Sequence, residues 1–288
     1  MCNPIPIVRS GWILRHALRK RSPTNIVDEI EYWYNNGWNI FDINDDIFTL
    51  DKERAIKICN EIIARNMNIQ INLYVGIRVD TVDEDILLHL KKVNCKFISY
   101  GCEAGNNKIL KDINKGITVE QVIRVNKMTN KYQIPHKFNF IIGHPTESFS
   151  DAMDSLQLAK KLKSSFVVFN NLIPYPNTDA YKEIINNPEA KFNYDYNIYL
   201  NDVISKRNIP IYETNLFSTE EKKKALQLCW DYEIKSLYLF RFGLFFWAFA
   251  YYIGKHEKSK NVELLFYNYF MSTKIGNYIY SKLISSPW

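Results

Sequence analysis

Five short apolar runs, Trp38 to Phe41, Ile69 to Val75, Phe97 to Tyr100, Phe138 to Ile142 and Phe166 to Phe169, each end abruptly in polar, charged or glycine residues. The segments between them carry apolar residues at helical spacing. Strand therefore alternates with helix, which favours a parallel sheet with helices packed outside it. Parallel strands of this kind place ligands at their carboxyl ends. The residues there are Asp42 to Asp46, Gly76 to Asp80, Gly101 to Gly105, Gly143 to Glu147 and Asn170-Asn171. Glycine is scarce, 10 in 288 residues, yet Gly76, Gly101, Gly105 and Gly143 all fall at these edges. A rare glycine answers a backbone need, such as a positive φ or the close approach of a ligand to the main chain.

A chain of 288 residues with 47% hydrophobic content can bury a substantial core, enough for one barrel-like domain plus a tail. The net charge of +6 is spread along helices, with one basic cluster at Arg15 to Arg21. That distribution reads as a solvated surface rather than a nucleic-acid footprint. The 5 cysteines, Cys2, Cys59, Cys95, Cys102 and Cys229, are odd in number and lack paired spacing, which points to a reducing compartment. With no secretion signal legible at the amino terminus, a cytoplasmic location is expected.

Ser22-Pro23-Thr24 opens a helix with Ser22 or Thr24 as cap, and Asp28, Glu29 and Glu31 are expected to favour its early turns. A second helix spans about Asp51 to Arg65, with Cys59 on its inner face. Gln70, Asn72 and Tyr74 alternate along the next strand. They either face a polar guest inside a barrel or point outward under helix ends. Helical spacing from Ile109 to Val125 splits around Gly116, Ser148 to Leu162 is amphipathic, and Pro174 and Pro176 fix a loop. Residues 185–217, rich in Asn and Tyr, read as an irregular excursion, and 218–288 as a helical extension. Leu237 to Ile253 is dense in aromatics but interrupted by Arg241. It reads mainly as a buried or capping helix, with a membrane-surface helix as the alternative.

Several of these edges, in order, resemble the radical S-adenosylmethionine superfamily, in the branch often found with a cobalamin-binding domain. The stretches are Arg21-Ser22-Pro23 with Ile26 to Ile30, Asp45-Asp46-Ile47-Phe48-Thr49, Arg78-Val79-Asp80, Ser99 to Gly105, Lys115-Gly116-Ile117-Thr118, Ile142 to Glu147, and Pro174 to Thr178. The resemblance covers most of residues 2–180. It implies a partial TIM-like (β/α) barrel over residues 1–184, lacking the family's first strand and any cobalamin domain, so that the sheet has an uncovered edge.

Family members hold a 4Fe-4S cluster on three cysteines spaced C-x-x-x-C-x-x-C, and the cluster's open iron binds S-adenosylmethionine. The matching loop here is Cys2-Asn3-Pro4-Ile5-Pro6-Ile7-Val8-Arg9. Cys2 is the remaining cluster-type cysteine. Pro6 has no side-chain donor and the Arg9 guanidinium has no lone pair to offer, so the ordinary cluster is not expected to form. Cys102, at a strand end, is either a substitute ligand or a small residue in a tight turn. The preferred reading of the latter is the small residue.

The resemblance assigns cofactor-facing roles to Asp45, Asp46, Arg78, Gly101, Glu103, Gly105, Gly143, Pro145 and Asn170. For Glu103 the competing reading is a carboxylate capping the helix near Asn106. For Arg78 it is a bridge to Asp80 or Glu103, and for Asp45 or Asp46 an Asx-type turn. Gly143 and Pro145 would shape a loop that lets an adenine approach the backbone, with Glu147 beginning the following helix. His144 reads as a loop histidine, with proton transfer as its alternative. The expected protein is a fragmentary or degenerate relative of iron-sulfur/S-adenosylmethionine enzymes that binds a small molecule. The alternative is a non-catalytic module joining a protein partner or a membrane surface through its aromatic helix. A barrel hydrolase using Asp46 and Glu103 ranks last.

Overall fold

Each of the five apolar runs overlaps a strand of one parallel sheet, in a computed structural model that describes residues 20–45, 47–193 and 209–256, with the backbone alone for Tyr238 and residues 241–256. The elements run α1 (Pro23–Asn35), β1 (Ile40–Asp42), α2 (Lys52–Ala64), β2 (Gln70–Arg78), a 3-10 turn (Val79–Thr81), α3 (Glu84–Lys92), β3 (Cys95–Glu103), α4 (Asn107–Asp112) and α5 (Val119–Lys131). They continue as β4 (His136–Ile142), α6 (Phe149–Lys161), β5 (Phe166–Asn171), α7 (Asp179–Ile185), β6 (Lys191–Phe192), β7 (Tyr212–Glu213) and α8 (Thr219–His256). The sheet order β1-β2-β3-β4-β5 follows the chain, and every pairing is parallel. This is the α/β, partial TIM-like barrel expected, and hydrogen bonds among the described residues do not close it.

The helix boundaries are written in local chemistry. Ser22, Asp51, Asp83, Asn106, Thr118, Ser148 and Thr178 are N-caps whose side chains accept from backbone amides of the following first turn. Thr118 with Gln121 and Ser148 with Asp151 complete capping boxes. The split predicted around Gly116 is present, because α4 ends at Asp112 and Gly116 takes a φ of +73° between the two helices. One expectation fails: α1 starts at Pro23, so Asp28, Glu29 and Glu31 lie beyond its first turn. They serve ion pairs instead, Asp28 and Glu31 with Arg65 and Glu29 with Arg21.

Strand alternation gives the sheet two unlike faces. Ile71, Leu73, Ile98, Tyr100, Phe138, Phe140, Val167 and Phe169 are buried, and the Tyr100 hydroxyl reaches Thr129 on α5 at 2.7 Å. Cys59, Cys95 and Cys102 belong to the same core, as expected for Cys59. The opposite face is polar and aromatic. There the Asn72 amide donates to Asp42 at 2.9 Å, Asn139 donates to Ser99 at 2.8 Å, and Tyr74, Phe97 and Phe166 form a row with ring centroids 5.2 and 5.7 Å apart. The strand-to-strand bond between Asn72 and Asp42 partly answers why a polar residue lies on this face.

Two strands outrun their apolar stretches. β2 continues through a register irregularity between Leu73 and Ile77 to Arg78, and β3 continues through Gly101 to Glu103. Gly76 and Gly101 are therefore strand residues, and in both strands the carboxyl edge lies three residues later than the sequence pattern places it.

Within residues 185–217 the described part holds the antiparallel pair of β6 with β7, and Tyr212 and Ile211 are buried. The chain separates into two compact units, residues 1–232 and 233–288. α8 begins in the first and passes into the second. Side chains of Tyr238 and of residues 241–256 lie outside the described residues, and with them most of the aromatic stretch. No helix among the described residues is long and apolar enough to cross a membrane.

Candidate functional site

The carboxyl ends of β2, β3 and β4 bring Arg78, Glu103, Lys115 and the 143–147 loop to one end of the sheet. Glu103 ends β3 with a φ of +73°, a left-handed backbone that a side-chain-bearing residue adopts only at a cost of about 1–2 kcal/mol. Its carboxylate accepts from Lys115 Nζ at 2.8 Å, and both side chains are buried. Gly101 makes room for that pair: a Cβ there would lie 2.7 Å from Glu103 Oε1 and 3.2 Å from Lys115 Nζ. The capping role considered for Glu103 belongs to Asn106, whose side chain accepts from the Ile109 amide.

Arg78 makes a two-pronged bridge to Asp80, at 2.9 and 2.7 Å, and its second terminal nitrogen also donates to the Lys115 carbonyl at 3.0 Å. The guanidinium thus fixes the backbone of the residue that neutralises Glu103. Asp45 lies 3.2 Å from Arg54 of α2, an ion pair rather than an Asx turn. Asp46 lies outside the described residues, as do Cys2, Pro6 and Arg9.

Gly105 has a different reason for being glycine. A Cβ there would come within 2.2 Å of the Ser155 Cα, and its amide donates to Ser155 Oγ at 2.8 Å. It sets the close approach of the β3–α4 loop to α6. Asn170, at the end of β5, is exposed. Pro145 follows His144 in the loop that leads to α6.

That loop is held from inside. Gly143 has a φ of +99°, and Glu147 Oε2 accepts from both its amide and that of His144, the latter at 3.0 Å. The Tyr212 hydroxyl of β7 donates to the Gly143 carbonyl. Glu147 does not begin α6, since Ser148 is the cap; it is a buried strut. Among the described residues, its other oxygen, Oε1, and both ring nitrogens of buried His144 have no partner in full hydrogen-bond geometry. Burial pushes the Glu147 carboxyl up to about 8 against the pull of the two amides. Burial holds the His144 imidazole down to about 4, opposed by the backbone of Glu103 and reinforced by the charges of Lys222 and Lys115.

Lys222 of α8 completes this cluster. It is buried, donates to the Tyr212 carbonyl at 3.1 Å and sits 3.4 Å from the Tyr212 ring centroid. Burial lowers its ammonium to about 7, with Glu147 and Glu213 opposing the shift. Sequence reasoning passed over Lys115, Tyr212 and Lys222 as functional residues. Lys115 stands inside one of the family-like stretches, which is a usable signal. Lys222 stands in the charged run Glu220 to Lys224, which resembles any solvated helix start.

The described cysteines do not form a metal centre. Cys59, Cys95, Cys102 and Cys229 are all buried, and the Cys102 thiol donates to the Ala104 carbonyl at 3.3 Å. Burial pushes the Cys59 and Cys95 thiols up to about 12 and raises Cys102 further, which opposes the thiolate a metal needs. No group of three or more potential ligands occurs among the described residues. Cys102 is a small buried residue within β3 rather than in a tight turn.

Comparison with known proteins agrees with the fold and the ordered edges. An uncharacterized methyltransferase of Pyrococcus horikoshii is 31% identical over 170 residues, covering 59% of this chain and 37% of that protein. An anaerobic magnesium-protoporphyrin IX monomethyl ester cyclase of Cereibacter sphaeroides is 26% identical over 193 residues, covering 66% of this chain and 31% of that protein. The chain thus spans about a third of the length of these curated relatives. A radical S-adenosylmethionine methyltransferase from Kitasatospora setae, solved with cobalamin and a 4Fe-4S cluster bound, superposes with a TM-score of 0.55 at 18% identity, covering 62% of this chain and 37% of that one. The family model described as the radical SAM superfamily matches residues 8–159, more than half of the chain, and the protein belongs to that superfamily.

Proposed function

We propose that this chain is a radical S-adenosylmethionine core that binds S-adenosylmethionine at the carboxyl ends of β2 to β5 without assembling the usual 4Fe-4S cluster. The observation carrying the ligand half is the arrangement at the end of β3. A residue at positive φ, Glu103, is locked by buried Lys115 and made possible by the missing side chain of Gly101. Backbone strain of that kind persists where the surroundings over-determine it, and such positions cluster at ligand clamps.

The residues proposed to contact the ligand divide by chemistry. Glu103, and Asp45 with Asp46, offer carboxylates to amino or ribose groups, and Gly143 with Pro145 offers a flat backbone edge to the adenine. Asn170 offers an exposed neutral donor and acceptor, and Gly101 keeps the clamp open. Arg78 and Gly105 support this shell through Lys115 and α6.

The cluster half rests on donor chemistry. Only Cys2 of the loop Cys2 to Arg9 can give a thiolate, the described cysteines are all buried, and burial raises the Cys59, Cys95 and Cys102 thiols, which opposes thiolate formation. Calorimetric titration with S-adenosylmethionine tests the first half: a folded sample that gives no binding heat removes it. Anaerobic reconstitution with iron and sulfide tests the second, and a stoichiometric, reducible cluster would remove that.

A further inference from the structure

Gly143 is gripped at both ends of its peptide by side chains that lie far apart in sequence. Glu147 accepts from its amide, and Tyr212 donates to its carbonyl. Tyr212 is in turn fixed by Lys222, which donates to its carbonyl at 3.1 Å and lies over its ring at 3.4 Å. Lys222 Nζ would also lie 3.8 Å from a Cβ added at Gly143, so the ammonium stands directly behind the loop. Lys222 is 1% exposed and Glu147 is 0% exposed, which strengthens the interaction of their charges.

We propose that Tyr212 and Lys222 are positioning residues for the 143–147 loop, so that the protonation of the Lys222–Glu147 pair sets how firmly the loop is held and how tightly the barrel binds a nucleoside-bearing ligand. This deepens the S-adenosylmethionine reading and rests on it for the ligand half. The physical sequence is short. An ionised Glu147 makes two charge-assisted bonds to the Gly143 and His144 amides, and a protonated one makes weaker neutral bonds. Lys222, when charged, favours the ionised form of Glu147. The unpartnered Glu147 Oε1 and His144 ring nitrogens mark a buried region whose polar groups the loop alone does not satisfy.

The charged and titratable neighbours are few. Glu147 is faced by His144 in its own loop, by Lys222 from α8, by Asp151 from α6 and by Tyr212 from β7. Lys222 is faced by Glu147 and by Glu213 of β7. His144 is faced by Lys115 and Lys222. With Glu147 raised to about 8 and Lys222 lowered to about 7, both groups change charge around neutral pH, each favouring the charged form of the other.

The test follows the amide resonances of Gly143 and His144 by NMR between about pH 6 and 9, in the full chain, alongside the S-adenosylmethionine affinity over the same range. Three variants are compared with the wild type: Lys222→Met, Tyr212→Phe and, as an exposed control on the same helix, Lys223→Met. Lys222→Met removes the bond to the Tyr212 carbonyl and the contact with its ring, together with the charge that helps ionise Glu147, so the midpoint of the Gly143 and His144 titration moves to higher pH, and affinity falls by about tenfold, the worth of one charge-assisted bond. Tyr212→Phe, which loses a single oxygen and keeps the packing, shifts the Gly143–His144 peptide resonances and also weakens binding. Lys223→Met does neither. If the midpoint and affinity of Lys222→Met match those of Lys223→Met, or if Tyr212→Phe leaves the loop resonances in place should Lys222→Met not fold, the proposal is overturned. A wild type that binds no S-adenosylmethionine, with the midpoint still moved by Lys222→Met, sustains the brace and removes the ligand reading instead.

Discussion

Glu103 and Lys115 form an ion pair of 2.8 Å at the carboxyl end of β3, with side chains only 6% and 7% exposed. A buried pair of this kind contributes less to stability than its short distance suggests, because desolvating both charges offsets much of the attraction. Breaking it is another matter. Lys115→Met leaves a buried, unpaired carboxylate on a left-handed backbone, and the expected loss of stability is about 3–5 kcal/mol. The double variant Glu103→Gln with Lys115→Met removes both charges and recovers much of that loss. Urea denaturation of the two proteins measures the difference. If the double variant proves no more stable than Lys115→Met alone, the pair is not a coupled buried charge system.

Gly101 and Gly105 look alike in the sequence and differ in what surrounds them. A methyl at Gly101 meets the tip of Glu103, a flexible side chain, whereas a methyl at Gly105 meets the Ser155 backbone. Gly101→Ala is therefore expected to displace the ion pair, keep the fold and weaken S-adenosylmethionine binding. Gly105→Ala cannot be relieved by a rotamer change and is expected to cost about 3 kcal/mol or more, at the upper end of overpacking. Thermal denaturation set beside ligand titration separates the two outcomes, and equal stability losses would show that the glycines share one role.

The contrast marks what the sequence could and could not disclose. Alternating apolar runs and helical spacing specified the β/α order, because each local preference agrees with a sheet buried on its helix-facing side. The rare glycines Gly76, Gly101, Gly105 and Gly143 do fall in or just after the last residues of their strands. Which need each glycine meets depends on atoms fifty residues away, as with Ser155, and no local pattern carries that. Lys222 was hidden for the same reason. A lysine in a run of charged residues reads as solvent-facing, and only the fold of residues 209–222 against the 143–147 loop buries it. Strand lengths were understated because Gly76, Gly101 and Glu103 are poor strand formers, the last two held in place by pairing with β4.

His144 provides a pH prediction with a definite sign. Its imidazole is held at about 4 in the folded protein, below its ordinary value of 6.5, so the unfolded chain takes up a proton before the folded one does. Stability contributed by neutral His144 is complete above about pH 6.5 and is lost as pH falls toward 4, by roughly 3 kcal/mol. His144→Leu abolishes that acid-side loss while leaving the alkaline limb in place. Chemical denaturation at closely spaced pH values reads the slope directly. An unchanged slope in the variant would mean that the imidazole reaches solvent and is not held neutral by burial.

The last prediction concerns sulfur. The proposed cluster loop runs from Cys2 to Arg9, with Pro6 and Arg9 at the positions where the second and third cysteines of C-x-x-x-C-x-x-C would stand. If the absence of two thiolates is what prevents cluster assembly, Pro6→Cys combined with Arg9→Cys restores C-x-x-x-C-x-x-C and should allow iron and sulfide to bind on anaerobic reconstitution. The wild type should retain substoichiometric iron, since its remaining described thiols are buried and burial opposes the thiolate form of Cys59, Cys95 and Cys102. Iron and sulfide analysis with electron paramagnetic resonance of the reduced samples distinguishes a cubane from adventitious iron. A cluster in the wild type equal to that in the double variant would show that ligands other than thiolates from this loop suffice. No cluster in either would place the defect in the path of the chain around the loop rather than in its donors.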